Sequence, residues 1–176
     1  MKAIIVLGMH RSATSMTSRA LHNSNEVYMG HRLATASQPD NLKGHYEHVP
    51  VVWLNDEILK LAGGNWLNPP SREAILEVGK RRDIKEKIKK EIEEIKINAI
   101  KNNSTSYGFK DPRACLTIEL YHPYLDYPQY IVPFKNHEEI AKSLVKRGDG
   151  VTTIEQGIKL SEIYYTRIIK FIQSNF

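Results

Sequence analysis

The residues best suited to chemistry lie near the start of the chain, in the segment Gly8–Ser15 with the sequence GMHRSATS. An apolar run precedes this segment and helical spacing follows it, so the pattern predicts a loop between a strand and a helix. The first backbone N–H groups of a helix have no intrahelical partner and carry the positive end of the helix dipole. A phosphate or sulfate group is therefore their natural ligand. Arg11 adds a fixed charge, and Ser12, Thr14 and Ser15 add hydroxyl donors.

Two alternatives to this anion-binding loop stay open at the level of the motif. In the first, a serine or threonine only caps the helix. In the second, the loop binds ATP, as in a phosphate-loop kinase or another nucleotide-binding protein. The ATP-binding loop ends in Gly-Lys-Ser/Thr, whereas Ala13, Thr14 and Ser15 occupy the corresponding positions here. The absent lysine argues against the second alternative.

The elements that must position this loop alternate between strands and helices. Apolar runs rich in β-branched or aromatic residues predict strands, and apolar residues at helical spacing predict helices. The predicted strands cover residues 3–7, 107–110 and 129–134, and the predicted helices cover residues 14–21, 51–62, 72–100, 138–146 and 153–173. Residues 27–41 are rich in turn-forming residue types, so no helix or strand is predicted there. This order predicts a single α/β domain over residues 1–176, with a mainly parallel sheet between two layers of helices.

Two of the predicted helices carry further signals. Thr152 and Glu155 are spaced as a capping box at the start of the last helix. The long helix 72–100 carries charges of both signs on a solvated face, so we do not expect it to bind nucleic acid. Its apolar stripe predicts a buried face made of Ile84, Ile88, Ile92, Ile95 and Ala99.

Composition excludes several classes of protein. The 176 residues contain one cysteine, Cys115, so an internal disulfide is excluded, and we expect this thiol to be buried and inert. No apolar run reaches the roughly 20 residues that span a bilayer, and no signal peptide is evident. We therefore expect a cytoplasmic protein without a membrane span. The net charge of +5 favours an anionic ligand without choosing between nucleic acid, acidic lipid and a phosphorylated small molecule.

The segment IIVLGMHRSATSMTSRAL resembles the 5′-phosphosulfate-binding loop of sulfotransferases that use 3′-phosphoadenosine 5′-phosphosulfate (PAPS). Four further segments resemble that family in the same order along the chain. They are GHYEHVPVVWLNDEIL, GGNWLNPP, GFKDPRACL and PFKNHEEIAKSLVKR, so the resemblance extends from about Ala3 to Arg147. It implies a sulfotransferase fold related to that of the phosphate-loop nucleotidases. It also implies an enzyme that transfers a sulfonate group from PAPS to an acceptor hydroxyl or amine and needs no metal.

The resemblance also implies roles for individual residues. Arg11 and Lys110 would face the transferring sulfonate and the leaving phosphate, and Glu47 would be the base, with His45 and His48 as rivals. His10 is expected to shape the loop through hydrogen bonds. Asp111 and Arg113 flank Lys110, either as an ion pair that orients it or with Arg113 touching the acceptor. The residues implied for PAPS binding are Arg11, Ser12, Ala13, Thr14, Ser15, Met16, Lys135 and Ser143.

Several positions depart from the family pattern. Ala13 replaces a glycine and would be strained by about 1 kcal/mol if its φ were positive. Lys135 replaces an arginine, and His137 replaces a proline. The chain stops at Phe176, where the family continues into a strand and a basic loop over the adenosine. We therefore expect an adenosine end that is open or completed by another subunit, as in a homodimer. A non-catalytic member that binds the product 3′,5′-bisphosphoadenosine (PAP) or a protein partner is a third alternative. The expected acceptor is a small molecule or a carbohydrate.

Overall fold

A computed structural model describes residues 1–35 and 44–176. The turn-rich segment 27–41 therefore lies partly outside the described residues. The elements, in chain order, are β1 (Lys2–Val6), α1 (Thr14–Asn23), β2 (Val27–Tyr28), α2 (Val49–Leu61), α3 (Arg72–Gly79), α4 (Arg82–Lys101), β3 (Ser106–Lys110), α5 (Ala114–Tyr121), a 3₁₀ turn (His122–Tyr124), β4 (Gln129–Ile131), α6 (His137–Arg147) and α7 (Ile154–Asn175).

Within the described residues the sheet has four strands in the order β2-β3-β1-β4, and every pairing is parallel. The predicted α/β class with a parallel sheet flanked by helices is therefore confirmed. Strand β2 was not predicted, because its two residues are too few to show any period. Val27 and Tyr28 extend the sheet by pairing with Ser106 and Tyr107 of β3.

The central strand β1 is apolar on both faces because helices cover both sides of the sheet. Ala3 and Ile5 point into the main core, whereas Ile4 and Val6 join a smaller cluster with Val27. Burial on both faces explains why this strand is a continuous apolar run rather than an alternating one. None of the helices in the described ranges combines the length and apolar character needed to cross a bilayer.

The single helix predicted over residues 72–100 was wrong, because the structure contains two helices there. Gly79 ends α3, and Arg81 has an extended backbone as the residue that precedes α4. The Leu120 side chain lies 2.3 Å from the position that a Cβ on Gly79 would occupy, so α5 packs tightly where α3 ends. The predicted stripe on α4 is confirmed, since all of its members are buried: Ile84, Ile88, Ile92, Ile95 and Ala99.

Two smaller corrections concern element ends. Helix α7 is capped one residue later than predicted, because Thr153 rather than Thr152 accepts a hydrogen bond, from the Gln156 N–H. Strand β4 ends at Ile131 rather than Phe134. Pro133 lacks an N–H and cannot extend the ladder.

The close approach of β1 and β3 gives a test of the fold. A Cβ on Gly108 would lie 1.8 Å from the Ile4 carbonyl oxygen, so the strands could not keep their present spacing. Gly108→Ala should therefore lower the free energy of unfolding by about 3 kcal/mol or more, as measured by urea denaturation.

Gly79→Ala is the matched control for this substitution. Its new methyl group meets only the flexible end of Leu120, and alanine favours the helix, so stability should change by less than about 1 kcal/mol. Equal losses in the two variants would contradict the proposed importance of the β1–β3 contact.

Candidate active site

The candidate site lies where the carboxyl ends of three parallel strands meet. The Gly8–Ala13 loop follows β1, Lys110 is the last residue of β3, and Lys135 lies between β4 and α6. Val6 and Lys110 are paired in the sheet register, so the loop begins beside the Lys110 side chain. The crevice outside the carboxyl ends of the strands is the usual ligand site of open parallel sheets.

The loop leaves the start of α1 open to a ligand. Ala13 precedes the helix, and no side chain of the described residues caps it. The N–H groups of Thr14, Ser15 and Met16 therefore lack intrahelical partners. Arg11 and Ala13 both have a φ of 69°. Left-handed residues beside ordinary ones turn successive N–H groups toward one side, which favours an anion.

The side chains of Ser12 and Thr14 shape the loop from within. The Ser12 hydroxyl is fully buried and donates to the Met9 carbonyl oxygen at 2.6 Å, so it is not a donor to a ligand as the sequence suggested. Thr14 is also buried, and its methyl group lies 2.7 Å from where a Cβ on Gly8 would stand. Only glycine fits at that position. Main-chain N–H groups, Arg11 and Ser15 are therefore the polar groups that this loop offers to a ligand.

Arg11 and Ser143, both implied for cofactor binding, lie in contact. The Arg11 Nε donates to the Ser143 Oγ at 2.9 Å, which joins the loop to α6. Lys135 lies on the same edge of the sheet, but its ammonium is 3.5 Å from the Glu139 carboxylate. The shared grip of Lys135 and Ser143 on one phosphate stays a prediction.

Lys110 is the central charge of the site. Its side chain is 1% exposed, and its ammonium donates to the Glu47 carboxylate at 2.8 Å, the His45 carbonyl at 3.2 Å and the Ser15 hydroxyl at 3.3 Å. Burial alone would raise the pKa of Glu47, but the Lys110 charge and hydrogen bond outweigh burial and hold that pKa below its ordinary value. Glu47 is therefore an ionised carboxylate at neutral pH.

A buried polar network fixes the turn that follows Lys110. Arg113 Nη1 donates to Asp111 Oδ1 at 2.8 Å, and Arg113 Nε lies 2.6 Å from Asp56 Oδ1. Asn55 donates to the other Asp111 oxygen at 2.8 Å. The predicted ion pair of Asp111 and Arg113 is present. Because this ion pair lies directly after β3, it holds Lys110 at the edge of the sheet.

An open cavity of about 420 Å³ lies beside the Lys110–Glu47 pair. Arg113 contributes to its wall, so this residue faces the cavity as well as Asp111. The lining residues are His10, His45, Glu47, Trp66, Arg113, Arg147 and Asp149. Trp66 and Arg147 had no predicted role, although both lie within segments that resemble the sulfotransferase family.

The three histidines considered above differ in position. His45 lines the cavity beside Glu47. His48 is buried and contacts Glu91 instead, with 2.6 Å between Nε2 and Oε1. His10 packs against Trp66 with ring centroids 4.7 Å apart. Burial and nearby cations, chiefly Arg113, lower its pKa well below the ordinary value, so it is neutral.

Within the described residues, the hydrogen bonds expected of His10 are absent at one of its two ring nitrogens. Its Nε2 is buried and has no hydrogen-bond partner among the described residues. Ring packing against Trp66 and Tyr164 holds it instead. Cys115 is buried as expected, and burial raises the pKa of its thiol.

Comparisons of the chain with models of known protein families, with curated proteins and with solved structures find no match.

The left-handed backbone of Ala13 gives one test of the loop. Glycine adopts this conformation without strain, so Ala13→Gly should raise the free energy of unfolding by about 0.5–1 kcal/mol in urea denaturation. Ala20→Gly, within α1, is the control and should lower it by about 0.5–1 kcal/mol. Losses of the same size in both variants would show that the loop is not strained at Ala13.

The Lys110–Glu47 pair gives a second test. Glu47→Gln should lower the free energy of unfolding by about 3 kcal/mol at pH 7, because the buried Lys110 loses its anionic partner. The pKa of Glu47 is lower in the folded than in the unfolded chain. The stabilisation is therefore complete above its ordinary value of 4.5 and is lost as the pH falls through the folded-state pKa. The difference in free energy of unfolding between the wild type and Glu47→Gln should therefore become smaller as the pH falls.

Urea denaturation at intervals between pH 7 and about pH 3 measures this difference in the free energy of unfolding. Glu138→Gln is the control, because the Glu138–Lys142 pair is exposed and contributes little at any pH. A difference for Glu47→Gln that stayed constant over this range would contradict the assigned ion pair.

Proposed function

We propose that the protein is a sulfotransferase that transfers a sulfonate group from PAPS to an acceptor hydroxyl or amine and releases PAP. One observation carries this proposal. The buried Lys110 ammonium joins an uncapped anion-binding loop, through Ser15, to the ionised carboxylate of Glu47. A cation at the transferred group, with a base beside it, is the minimum that sulfonate transfer to an alcohol requires.

The residues present fit the 5′ end of PAPS. The N–H groups at the start of α1 and the Arg11 guanidinium would hold the phosphosulfate, whose transferable sulfonate is the chemistry that this co-substrate supplies. The fit at the 3′-phosphate requires one exchange, because Lys135 has to leave Glu139. The Ser143 hydroxyl, which accepts from Arg11, would donate its proton to the phosphate.

The proposed step is an in-line displacement at sulfur. A bond forms between the acceptor oxygen or nitrogen and sulfur, and the bond from sulfur to the phosphate oxygen breaks. Glu47 takes the acceptor proton, while Arg11 and the loop N–H groups stabilise the leaving phosphate. When Lys110 turns toward the sulfonate, Glu47 loses the charge that lowers its pKa. The same movement therefore strengthens the base when it is needed.

The cavity beside Glu47 is the proposed acceptor site. Its volume of about 420 Å³ suits a small molecule or a terminal sugar. Two cationic and two anionic side chains share the lining, since Arg113 and Arg147 are balanced by Glu47 and Asp149. This balance favours a polar, uncharged acceptor over a strongly ionic one.

A non-catalytic PAP-binding protein is the second candidate. It is favoured by the three protein acceptors that already surround the Lys110 ammonium. In such a protein Lys110 would stay with Glu47 when nucleotide binds, and no sulfonate would be transferred.

Binding of PAP tests the loop. Calorimetry without magnesium should detect the binding of PAP. Arg11→Ala should weaken this binding about 10- to 100-fold, because a charge-assisted contact of about 1.5–3 kcal/mol is lost. Arg19→Ala, an arginine of α1 outside the loop, is the control and should bind as the wild type does. Binding of ATP that requires magnesium, without binding of PAP, would overturn the proposal in favour of a kinase-like protein.

Turnover separates the two candidates. Transfer of labelled sulfonate from PAPS to a panel of sugars and small alcohols should be lost about 10²- to 10⁴-fold in Glu47→Gln, whereas PAP binding should persist. Loss of PAP binding together with turnover would assign Glu47 a structural role in the site and leave its role as the base unsupported. If the wild type bound PAP but transferred sulfonate to no acceptor, the non-catalytic candidate would be favoured.

A further inference from the structure

A second cluster of chemically active side chains lies outside the cavity. His31 follows β2, His48 immediately precedes α2, and Glu91 lies within α4. One possible ligand atom from each residue can be chosen so that all three lie within 4.8 Å of one another. The His48 Nε2 and the Glu91 Oε1 are 2.6 Å apart, and the two imidazole centroids are 4.7 Å apart.

These three side chains form a recognised type of donor set. Two imidazoles and one carboxylate, with an open fourth position, suit Zn²⁺ in tetrahedral coordination. Ligand atoms about 2.0–2.1 Å from a tetrahedral zinc are about 3.3 Å from one another. The shortest observed separation is 2.6 Å and all lie within 4.8 Å, so the ligand atoms have to shift by up to about 1.5 Å relative to one another to close the site.

The contacts of His48 favour a metal. Its Nε2 atom faces the Glu91 carboxylate, and zinc binds both imidazole nitrogen and carboxylate oxygen. The other ring nitrogen, Nδ1, is buried and has no hydrogen-bond partner in the described part of the chain, so Glu91 alone provides the ring with a polar contact.

We propose that His31, His48 and Glu91 bind one Zn²⁺ ion, with water at the fourth position. The ion would tie the chain around His31 and the chain around His48 to α4. These stretches already meet through a bridge between Leu33 and His48 and through the Ala34 N–H, which donates to the Glu47 carbonyl oxygen at 2.9 Å. Zinc would therefore hold the backbone of Glu47 in place without taking part in sulfonate transfer.

Zinc titration of the full chain, without a histidine tag and after treatment with a chelator, tests this proposal. Calorimetry should give one Zn²⁺ per chain, and zinc at 100 times its Kd should raise the Tm by about 5–10 °C. Magnesium should have no effect, because it prefers oxygen ligands. Absence of saturable binding at one ion per chain would overturn the proposal.

Variants locate the ion. His31→Ala and Glu91→Gln should each weaken zinc binding at least 10-fold and abolish the rise in Tm. The control variants His22→Ala and Glu94→Gln should keep the wild-type zinc affinity and the rise in Tm. His31→Ala removes a ligand outside the core, and circular dichroism without metal checks its fold. Wild-type zinc affinity in His31→Ala and Glu91→Gln would place the ion elsewhere and refute the site. PAP binding in the same samples tests the sulfotransferase proposal separately, because the zinc site does not depend on it.

Discussion

The buried ammonium of Lys110 is the charge around which the candidate site is organised. Taking a lone ammonium out of water costs several kcal/mol, so the fold has to supply acceptors for it. Glu47, the His45 carbonyl and Ser15 do so from two separate stretches of chain. Because those stretches carry Glu47 and the start of α1, one cation fixes the proposed base and the proposed anion-binding loop relative to each other. Any movement of Lys110 therefore changes the contacts of both Glu47 and Ser15.

The position of Lys110 depends in turn on two features of β3. Gly108 lets β3 approach the Ile4 carbonyl of β1 more closely than a side chain would allow, which sets the end of the strand beside the loop. Asp111 then starts the turn, held between Arg113 and Asn55. Burial raises the pKa of Asp111, against the effect of Arg113, so its carboxylate depends on these partners. A strand, a turn and a buried network therefore position one side chain.

The sequence predicted the parts of the molecule that rest on local patterns. The apolar run of β1, the isoleucine stripe of α4 and the polar loop each need only a few neighbouring residues, and all are present. The contact between Lys110 and Glu47 was not among the predictions, since it joins residues 63 positions apart. Features set by distant contacts escaped prediction. The break after Gly79 lies where Leu120 of α5 packs against the end of α3, and the cavity brings Trp66 and Arg147 together from stretches far apart in the chain. The cluster around Glu91 also appears only once α4 is folded.

Binding at this site would be an exchange of partners rather than the filling of a vacant space. Lys110 is held by Glu47 and Arg11 contacts Ser143, so an incoming anion has to compete with the protein's own acceptors. In the proposed reaction this competition would weaken binding, but it would also couple binding to activation of the base. When Lys110 turned to the sulfonate, Glu47 would be left without its cation and would become a stronger base. A site whose cations were unpaired would bind the anion more tightly and gain no such base. Under the proposed function, the cost in affinity and the activation of Glu47 are thus two results of the same ion pair.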